Sequence, residues 1–250
     1  MKTTFMSFAN QKGGCGKSTF TTALASFIHY QTKLNVVVVD ADFPQYSILS
    51  NRQRDIELVN SVDYYKQLSI NQFCVTKKKA YPILKSTPDT AIQVAMDYLV
   101  QNDHCHLVLF DLPGTVQSQG VLTTLSCMDY VFIPIIADRL VLESSLSFAT
   151  TLERAFRQNK DIRLRGIYLF WNQFDAREKN ALYSAYSEII KNLDLILLSN
   201  YIVDTKRFRK ETILGKRMIF RSTLFPSSRR FLQESHLEDT ILEIVKIILS

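Results

Sequence analysis

Short apolar runs alternate along the chain with longer stretches in which apolar residues recur every three or four positions. The runs are rich in β-branched and aromatic residues, as is typical of parallel strands buried on both faces. Strands are predicted over residues 3–8, 35–40, 107–111, 130–136, 165–172 and 195–203, and helices over residues 20–30, 90–99, 141–156 and 237–249. The alternation predicts an α/β fold, an open, mostly parallel twisted sheet with helices on both faces. Residues 46–90 follow neither pattern clearly, and we interpret them as helices and loops on the outside of the domain.

A glycine-rich stretch, residues 9–19, joins the first predicted strand to the first predicted helix. Glycines allow successive backbone N–H groups to surround a phosphate, and the helix adds the positive end of its dipole. Lys17 is expected to reach the β- and γ-phosphates of ATP, and the Ser18 hydroxyl to join the coordination of Mg²⁺. The nucleotide-binding residues predicted in this stretch are Lys12, Gly13, Gly14, Cys15, Gly16, Lys17, Ser18 and Thr19.

Carboxylates follow two further predicted strands. Asp40 and Asp42 come at the end of the run of four valines, and Asp111 ends the run Leu107 to Phe110. Ligands of open α/β sheets bind at the carboxyl ends of the strands, so these acids should lie near the glycine-rich stretch. An acid at this position can also simply end a strand. The order of the motifs favours a functional interpretation, in which Asp111 and Ser18 hold Mg²⁺.

The glycine-rich stretch departs from the usual G-x-x-x-x-G-K-[ST] pattern, because Gln11 stands where the first glycine falls and Lys12 follows it. The form K-G-G-x-G-K-[ST]-T resembles the deviant phosphate loop of the ParA/MinD family of ATPases. Residues 40–45 are similar to the D-x-D-P-Q stretch of that family with Phe43 inserted, and residues 111–114 resemble its D-x-P-G turn. A glycine-rich turn with two chance lysines is the alternative.

The resemblance implies roles for individual residues. Catalysis is assigned to Lys12, Lys17 and Asp42: Lys12 crosses to the partner's phosphates in an ATP-bound homodimer, and Asp42 positions the attacking water. Asn172, at the end of a predicted strand, is expected to hydrogen-bond adenine. The family usually has a proline near the last strand, where this chain has Asp204. Hydrolysis in the family is weak alone and is stimulated by a partner, often a centromere-binding ParB-like protein.

The net charge of +6 is concentrated in one part of the chain. Residues 201–230 contain nine Lys and Arg residues against only two acids. The predicted DNA-binding patch consists of Lys206, Arg207, Arg209, Lys210, Lys216, Arg217 and Arg221. Because no base-reading module is recognisable, we expect contact with DNA phosphates without sequence preference. A solvated loop is the alternative for this patch. For Lys77 to Lys79 a solvated turn is the favoured interpretation, and contact with DNA or a partner is the alternative.

Composition limits the number of domains, the cysteine and metal sites, and the location that we expect for the protein. We expect one domain spanning residues 1–250, with no apolar run long enough to cross a bilayer and no signal peptide before the first strand. The four scattered cysteines favour neither a disulfide framework nor a zinc site, and His104 to His106 alternate between strand faces. The acids of the last helix argue against membrane binding and favour packing on the domain. A cytoplasmic protein, associated with the nucleoid when ATP-bound, is expected.

Three functional hypotheses follow. The first is a ParA-like partition ATPase that positions plasmid, chromosome or mobile-element DNA, including that of a conjugative transposon. The second is a MinD-like spatial regulator that acts on a protein or membrane partner. The third, a metabolic ligase of the dethiobiotin-synthetase kind, has little motivation here because Lys12 belongs to the dimer-switch group.

Overall fold

The computed structural model of the chain describes residues 3–114, 118–157, 162–175, 177, 180–205 and 221–249. The strands are β1 (Thr4–Phe8), β2 (Val36–Asp40), β3 (Ile83–Lys85), β4 (Leu107–Asp111), β5 (Tyr130–Ile135), β6 (Gly166–Trp171) and β7 (Ile196–Leu197). The helices are α1 (Lys17–Gln31), α2 (Ser47–Ser61), α3 (Asp63–Thr76), α4 (Ala91–Gln101), α5 (Gln119–Ser126), α6 (Arg139–Arg157), α7 (Asn180–Asn192), α8 (Arg229–Glu234) and α9 (Leu237–Leu249).

Within the described residues, seven strands form one sheet in the order β3-β2-β4-β1-β5-β6-β7, and every neighbouring pair is parallel. The predicted α/β class is therefore confirmed. Phe8 is in register with Asp111, and Asp111 with Asp40, so three adjacent strands end at the same level. The strand order reverses on either side of β1, which is where open α/β sheets bind their ligands.

Helices cover both faces of the sheet, as the sequence predicts. Alternate side chains of β2 point to opposite layers, with Val37 and Val39 in one buried cluster and Val36 and Val38 in the other. The first layer receives apolar side chains from α4, α5, α6 and α7. The second is filled by α1, α8 and α9. Burial on both sides explains why the strands consist of almost continuous apolar runs.

The segment that the sequence left undefined forms α2, α3 and the edge strand β3. Lys78, the middle residue of the triplet Lys77 to Lys79, is partly buried and bonded to the domain, in contrast to the expected solvated turn. Its ammonium group donates to the carbonyl oxygens of His29, Thr32 and Leu34 at 2.7–2.9 Å. These groups lie at the end of α1, where a lysine can satisfy the last carbonyls of a helix. Lys78 therefore caps α1, while Lys77 and Lys79 are exposed.

Helix α9 packs on the domain, as expected from its acidic residues. Its apolar face, which includes Ile241 and Ile244, is buried. The Glu243 carboxylate accepts hydrogen bonds from the backbone N–H groups of Ser199 and Asn200 and from the Asn200 amide, at 2.8–2.9 Å. In the part of the chain that the structure describes, no helix combines the length and apolar character needed to span a membrane.

The last strand is shorter than predicted. β7 has two residues, although the apolar run extends over residues 195–203. The chain still follows β6 beyond β7, because Leu198 donates to the Leu169 carbonyl and Ile202 to the Trp171 carbonyl. The backbone bends at Ser199, between these two contacts, and the bend interrupts the strand.

Candidate nucleotide-binding site

The phosphate loop between β1 and α1 depends on glycine at two positions. Gly14 and Gly16 have φ angles of 77° and 88°, which favour glycine. A Cβ atom on Gly16 would also lie 2.9 Å from the ring of Phe20. Helix α1 begins directly afterwards at Lys17, so its first N–H groups face the loop.

Asn10 fixes the beginning of the loop, a role that the sequence analysis missed. Its side-chain amide donates to the Pro134 carbonyl at 2.8 Å and to the Ser145 hydroxyl at 2.9 Å. Its side-chain oxygen accepts a hydrogen bond from the Lys12 N–H at 3.0 Å. The side chain thus joins the loop to β5 and α6. The sequence signal for this role was a polar residue two positions after the end of a buried strand.

A cavity of about 290 Å³ opens at the carboxyl edge of the sheet. It is lined by Gly13, Gly14, Gly16, Lys17, Ser18, Thr19, Asp42, Gln45, Ser47, Asn51, Gly114 and Arg221. The structure therefore brings six of the eight predicted loop residues together with Asp42, which follows β2, while Lys12 and Cys15 do not line the cavity. Gly114 lies beside the loop, since a Cβ atom there would be 3.3 Å from the Lys17 ammonium nitrogen. Lys12 is exposed on the solvent side.

Asp111 is a suitable ligand for a cation beside this cavity. The residue is fully buried, and neither carboxylate oxygen has a hydrogen-bond partner of good geometry among the described residues. Burial raises the pKa of Asp111 to about 8, with Asp40 and Asp42 adding to the effect and Ser18 and Lys17 opposing it. A buried carboxylate without partners is unfavourable unless it is protonated or binds a cation. Together with the Ser18 hydroxyl it forms an oxygen donor set that fits Mg²⁺.

The two acids after β2 have different environments. One oxygen of the buried Asp40 accepts the N–H groups of Ile48 and Leu49 at 3.0 and 2.9 Å, and so holds the beginning of α2. Asp42 is half-buried and lines the cavity. Burial raises the pKa of Asp42, and the nearby Lys17 ammonium lowers it. Asp42 therefore faces the cavity, while the second oxygen of Asp40 is buried without a hydrogen-bond partner among the described residues.

Phe43, the residue inserted relative to the family pattern, does not displace Asp42 from the cavity. The Phe43–Pro44 peptide is cis, and the Phe43 ring is 58% exposed, edge-on to the Tyr46 ring. The Tyr46 N–H donates to the Asp42 carbonyl at 2.8 Å and closes the turn. The insertion is accommodated by an outward-facing side chain.

Asn172 lies behind the phosphate loop and is mostly buried. Its amide donates to the Cys15 carbonyl at 3.1 Å, so it supports the loop backbone. The contact with adenine remains a prediction. The neighbouring Trp171 packs edge-on against Tyr183 in the core. Burial raises the pKa of the Cys15 thiol, with Lys17 and Lys12 opposing, so the thiol is kept in its unreactive form.

Arg221 is the one member of the predicted DNA-binding patch that falls within the described residues. Lys206, Arg207, Arg209, Lys210, Lys216 and Arg217 lie outside them. The Arg221 guanidinium donates to the Thr19 hydroxyl at 3.1 Å and lines the cavity. The sequence analysis grouped Arg221 with the patch and did not predict this contact, and its role in DNA binding stays a prediction.

A glycine-rich loop between the central parallel strand and the next helix, with carboxylates at the ends of two neighbouring strands, defines a P-loop nucleotide-binding protein. The comparison with family models agrees. The chain belongs to the CobQ/CobB/MinD/ParA nucleotide binding domain family, whose model matches residues 6–216.

Known proteins resemble the chain in sequence and in fold. The chromosome-partitioning ATPase Soj of Thermus thermophilus is 27% identical over 180 residues, which cover 69% of this chain and 70% of Soj. The crystal structure of a plasmid partition protein from Borrelia burgdorferi has a TM-score of 0.56 at 21% identity, covering 94% of this chain and 100% of that chain. The MinC:MinD cell division complex of Aquifex aeolicus provides a chain with a TM-score of 0.61 at 13% identity, covering 98% of this chain and 96% of that one.

Proposed function

We propose that the protein is a ParA-like ATPase that dimerises with ATP, binds DNA without sequence preference and thereby positions or segregates plasmid, chromosome or mobile-element DNA. The observation that carries the ATPase part is the convergence of Lys17, Ser18 and Asp42 on one cavity, beside the buried Asp111. Family membership and the resemblance to Soj support the partition role.

Each residue of the site has a distinct task in this proposal. Lys17 and the N–H groups of the loop hold the β- and γ-phosphates. Ser18 and Asp111 hold Mg²⁺, which when bound neutralises charge on the phosphates. Asp42 accepts a hydrogen bond from the attacking water and orients it. Hydrolysis is weak alone, and we expect a ParB-like or other partner protein to stimulate it.

Dimerisation across the carboxyl edge of the sheet is supported by exposed residues. Lys12 is exposed at this edge. Phe43, after β2, and Leu140, after β5, are 58% and 73% exposed there. Large apolar side chains at such exposure are favourable when a second surface covers them. A homodimer that encloses ATP between two such faces gives ATP a higher affinity for the dimer than for the monomer, as a switch requires.

DNA binding is assigned to the basic residues between positions 206 and 217. Their sequence places six Lys and Arg residues within twelve positions. Contacts with DNA phosphates release counterions, so two copies of this segment in a dimer should bind more tightly than one. ATP would thus control the association with DNA, and in the cell the ATP-bound form would be nucleoid-associated.

The test is retention of non-specific DNA by the purified protein with ATP, with ADP and without nucleotide, over a salt series. We expect retention with ATP only, falling steeply as salt increases. Replacing Arg207 and Arg209 by Ala should abolish retention and leave ATP binding intact. The charge-matched control is the double variant of Arg154 and Arg230, two exposed arginines on α6 and α8. Equal retention by the two double variants would remove the basic segment from the proposal.

A MinD-like regulator of a protein or membrane partner is the second candidate. The similarity in fold to a chain of the MinC:MinD complex of Aquifex aeolicus extends over nearly the whole of this chain. ATP-driven dimerisation without retention of DNA at any salt concentration would favour this candidate. The acidic and packed α9 argues against a membrane-binding version of it.

A further inference from the structure

The segment from Arg221 to Phe225, which we call the strap, is attached to α2 through a buried carboxylate. Asp55 is fully buried. One of its oxygens accepts hydrogen bonds from the Thr223 N–H at 2.6 Å, the Thr223 hydroxyl at 2.9 Å and the Ser222 hydroxyl at 3.1 Å. Arg54 pairs with the other oxygen and also donates to the Arg221 carbonyl. Breaking so many buried contacts would be strongly unfavourable, so the strap is firmly fixed.

Helix α1 holds the strap from its other side. The Ser26 hydroxyl donates to the Ser222 carbonyl at 2.7 Å, and the Tyr30 hydroxyl to the Thr223 carbonyl at 3.1 Å. None of these contacts involves the Arg221 side chain. The backbone position of Arg221 is therefore set by α1 and α2, independently of what its guanidinium binds.

The strap places the Arg221 guanidinium where positive charge is already concentrated. Its contact, Thr19, belongs to the first turn of α1, which is the positive end of the helix dipole. Lys17 lines the same cavity, and Asp42 is the acidic residue among the described lining residues. A guanidinium beside a lysine at a helix N-terminus adds to the positive potential of the cavity, which favours an anionic ligand. The cavity is open and adjacent to all of these groups.

We infer that Arg221 is a nucleotide-binding residue whose guanidinium contacts a phosphate group at the Thr19 end of the loop, with the strap as the element that positions it. This inference rests on the proposed nucleotide-binding function and deepens it. A guanidinium suits the task because its planar donors can bind two phosphate oxygens at once. Asp55 acts through the strap and is a positioning residue.

The experiment compares binding of Mg²⁺·ADP by the wild-type protein and by Arg221→Ala, Arg221→Lys and Arg230→Ala, using a fluorescent ADP in a titration. Arg230→Ala is the matched control, because it removes an exposed arginine on α8 whose partner is Glu234. We expect Arg221→Ala to weaken binding at least about 10-fold, the effect of losing one charge-assisted hydrogen bond. Arg221→Lys should lie between, and Arg230→Ala should match the wild type. Inorganic pyrophosphate, added as a competitor, should lose affinity for Arg221→Ala by a similar factor.

The possible outcomes separate this inference from the proposed function. If Arg221→Ala and Arg221→Lys both bind ADP as tightly as Arg230→Ala, Arg221 has no role at the nucleotide. If Arg221→Ala loses affinity for ADP but not for pyrophosphate, the guanidinium contacts a part of the nucleotide outside the phosphates. This result also overturns the inference. Lys17→Ala is the reference for loss of the nucleotide site itself. If the wild-type protein binds no ADP, both proposals are overturned. Thermal unfolding without ligand monitors folding, and Arg221→Lys retains the charge and the stem if the Ala variant is unstable.

Discussion

Asn10 and Ser145 are joined by a hydrogen bond of 2.9 Å that connects the start of the phosphate loop to helix α6, 135 positions further along the chain. The same amide also reaches the Pro134 carbonyl on β5. The phosphate loop is therefore attached to β5 and α6 as well as to α1. Preorganisation of this kind reduces the conformational entropy lost when a phosphate binds.

The first prediction concerns this connection. Replacing Asn10 by Ala leaves the buried Pro134 carbonyl and the Lys12 N–H without their partner. We expect the free energy of unfolding to fall by about 1–3 kcal/mol. ADP binding should also weaken, because the phosphate loop is less well ordered before the ligand binds. Urea titration and an ADP titration measure the two effects. Asn71→Ala, at an exposed position on α3, is the control, and a loss of the same size there would contradict the assignment.

The second prediction concerns Asp111. Asp111→Asn keeps the shape of the side chain and removes a buried charge, so the ligand-free variant should be more stable than the wild type at pH 8 by about 1–3 kcal/mol. The sign follows from the raised pKa of about 8. Between the ordinary value near 4 and pH 8 the folded state binds a proton that the unfolded state does not. Wild-type stability from this group is therefore greatest at low pH and is lost as the pH rises through that window.

Magnesium provides the second measurement on this variant. The extra thermal stabilisation that Mg²⁺ gives to the ADP complex should disappear in Asp111→Asn. Asp103→Asn changes an exposed acid in the turn before β4 and should retain it. A full magnesium effect in Asp111→Asn would show that the cation is held elsewhere.

The third prediction concerns the exposed apolar residues at the carboxyl edge. A Phe43→Glu and Leu140→Glu double variant should remain monomeric with a non-hydrolysable ATP analogue, because two charged faces would repel each other in the dimer. Light scattering measures the mass, and nucleotide binding by the variant should be preserved. Val100→Glu, at an 84% exposed position near the end of α4, should dimerise like the wild type. A dimeric double variant would place the interface on another surface.

The fourth prediction is a loss of stability in mild acid caused by His29. This residue is buried in α1, with its ring against Tyr30 and Tyr81 and its Nε2 atom 2.9 Å from the Lys79 carbonyl. Burial lowers the pKa of His29, and the Lys78 and Arg52 charges lower it further, against the backbone contact with Lys79. The unfolded state therefore binds a proton more readily. Stability from this group is full above about pH 6.5 and falls below it, by at most about 1.4 kcal/mol per pH unit.

Denaturation midpoints between pH 5 and pH 8 provide the measurement. His29→Gln should flatten the acid side of the profile, since glutamine cannot acquire a charge there. His104→Gln, at an exposed position, should reproduce the wild-type slope. Identical slopes in all three proteins would assign the acid sensitivity to other groups.

The sequence was most informative where burial on both sides of the sheet leaves apolar residues as the favourable choice. The runs that end at Phe8, Asp40 and Asp111 became adjacent strands, and the phosphate loop follows the first of them. Residues 46–90 were less predictable because α2 and α3 cover only part of the domain. Val75, for example, is 83% exposed at the end of α3, so apolar periodicity does not mark the buried face.

The supporting contacts of the site could not be predicted from local spacing. Asp55 and Thr223 are 168 positions apart, and Asn10 and Ser145 are 135 apart. Hydrogen bonds over such separations depend on how the helices dock on the sheet, which a pattern of neighbouring residues does not specify. Arg221 was grouped with the basic segment for the same reason, since adjacency in sequence was the available information.

The strap has a further consequence for the residues that precede it. The chain before position 206 is also held, since Val203 donates to the Ser235 carbonyl at 3.1 Å and Asp204 to the Phe174 carbonyl at 2.9 Å. Both attachment points are contacts among described residues of the nucleotide-binding domain. Positions 203–204 and the strap are thereby held at a fixed separation, so the basic segment begins and ends at fixed points of the nucleotide-binding domain.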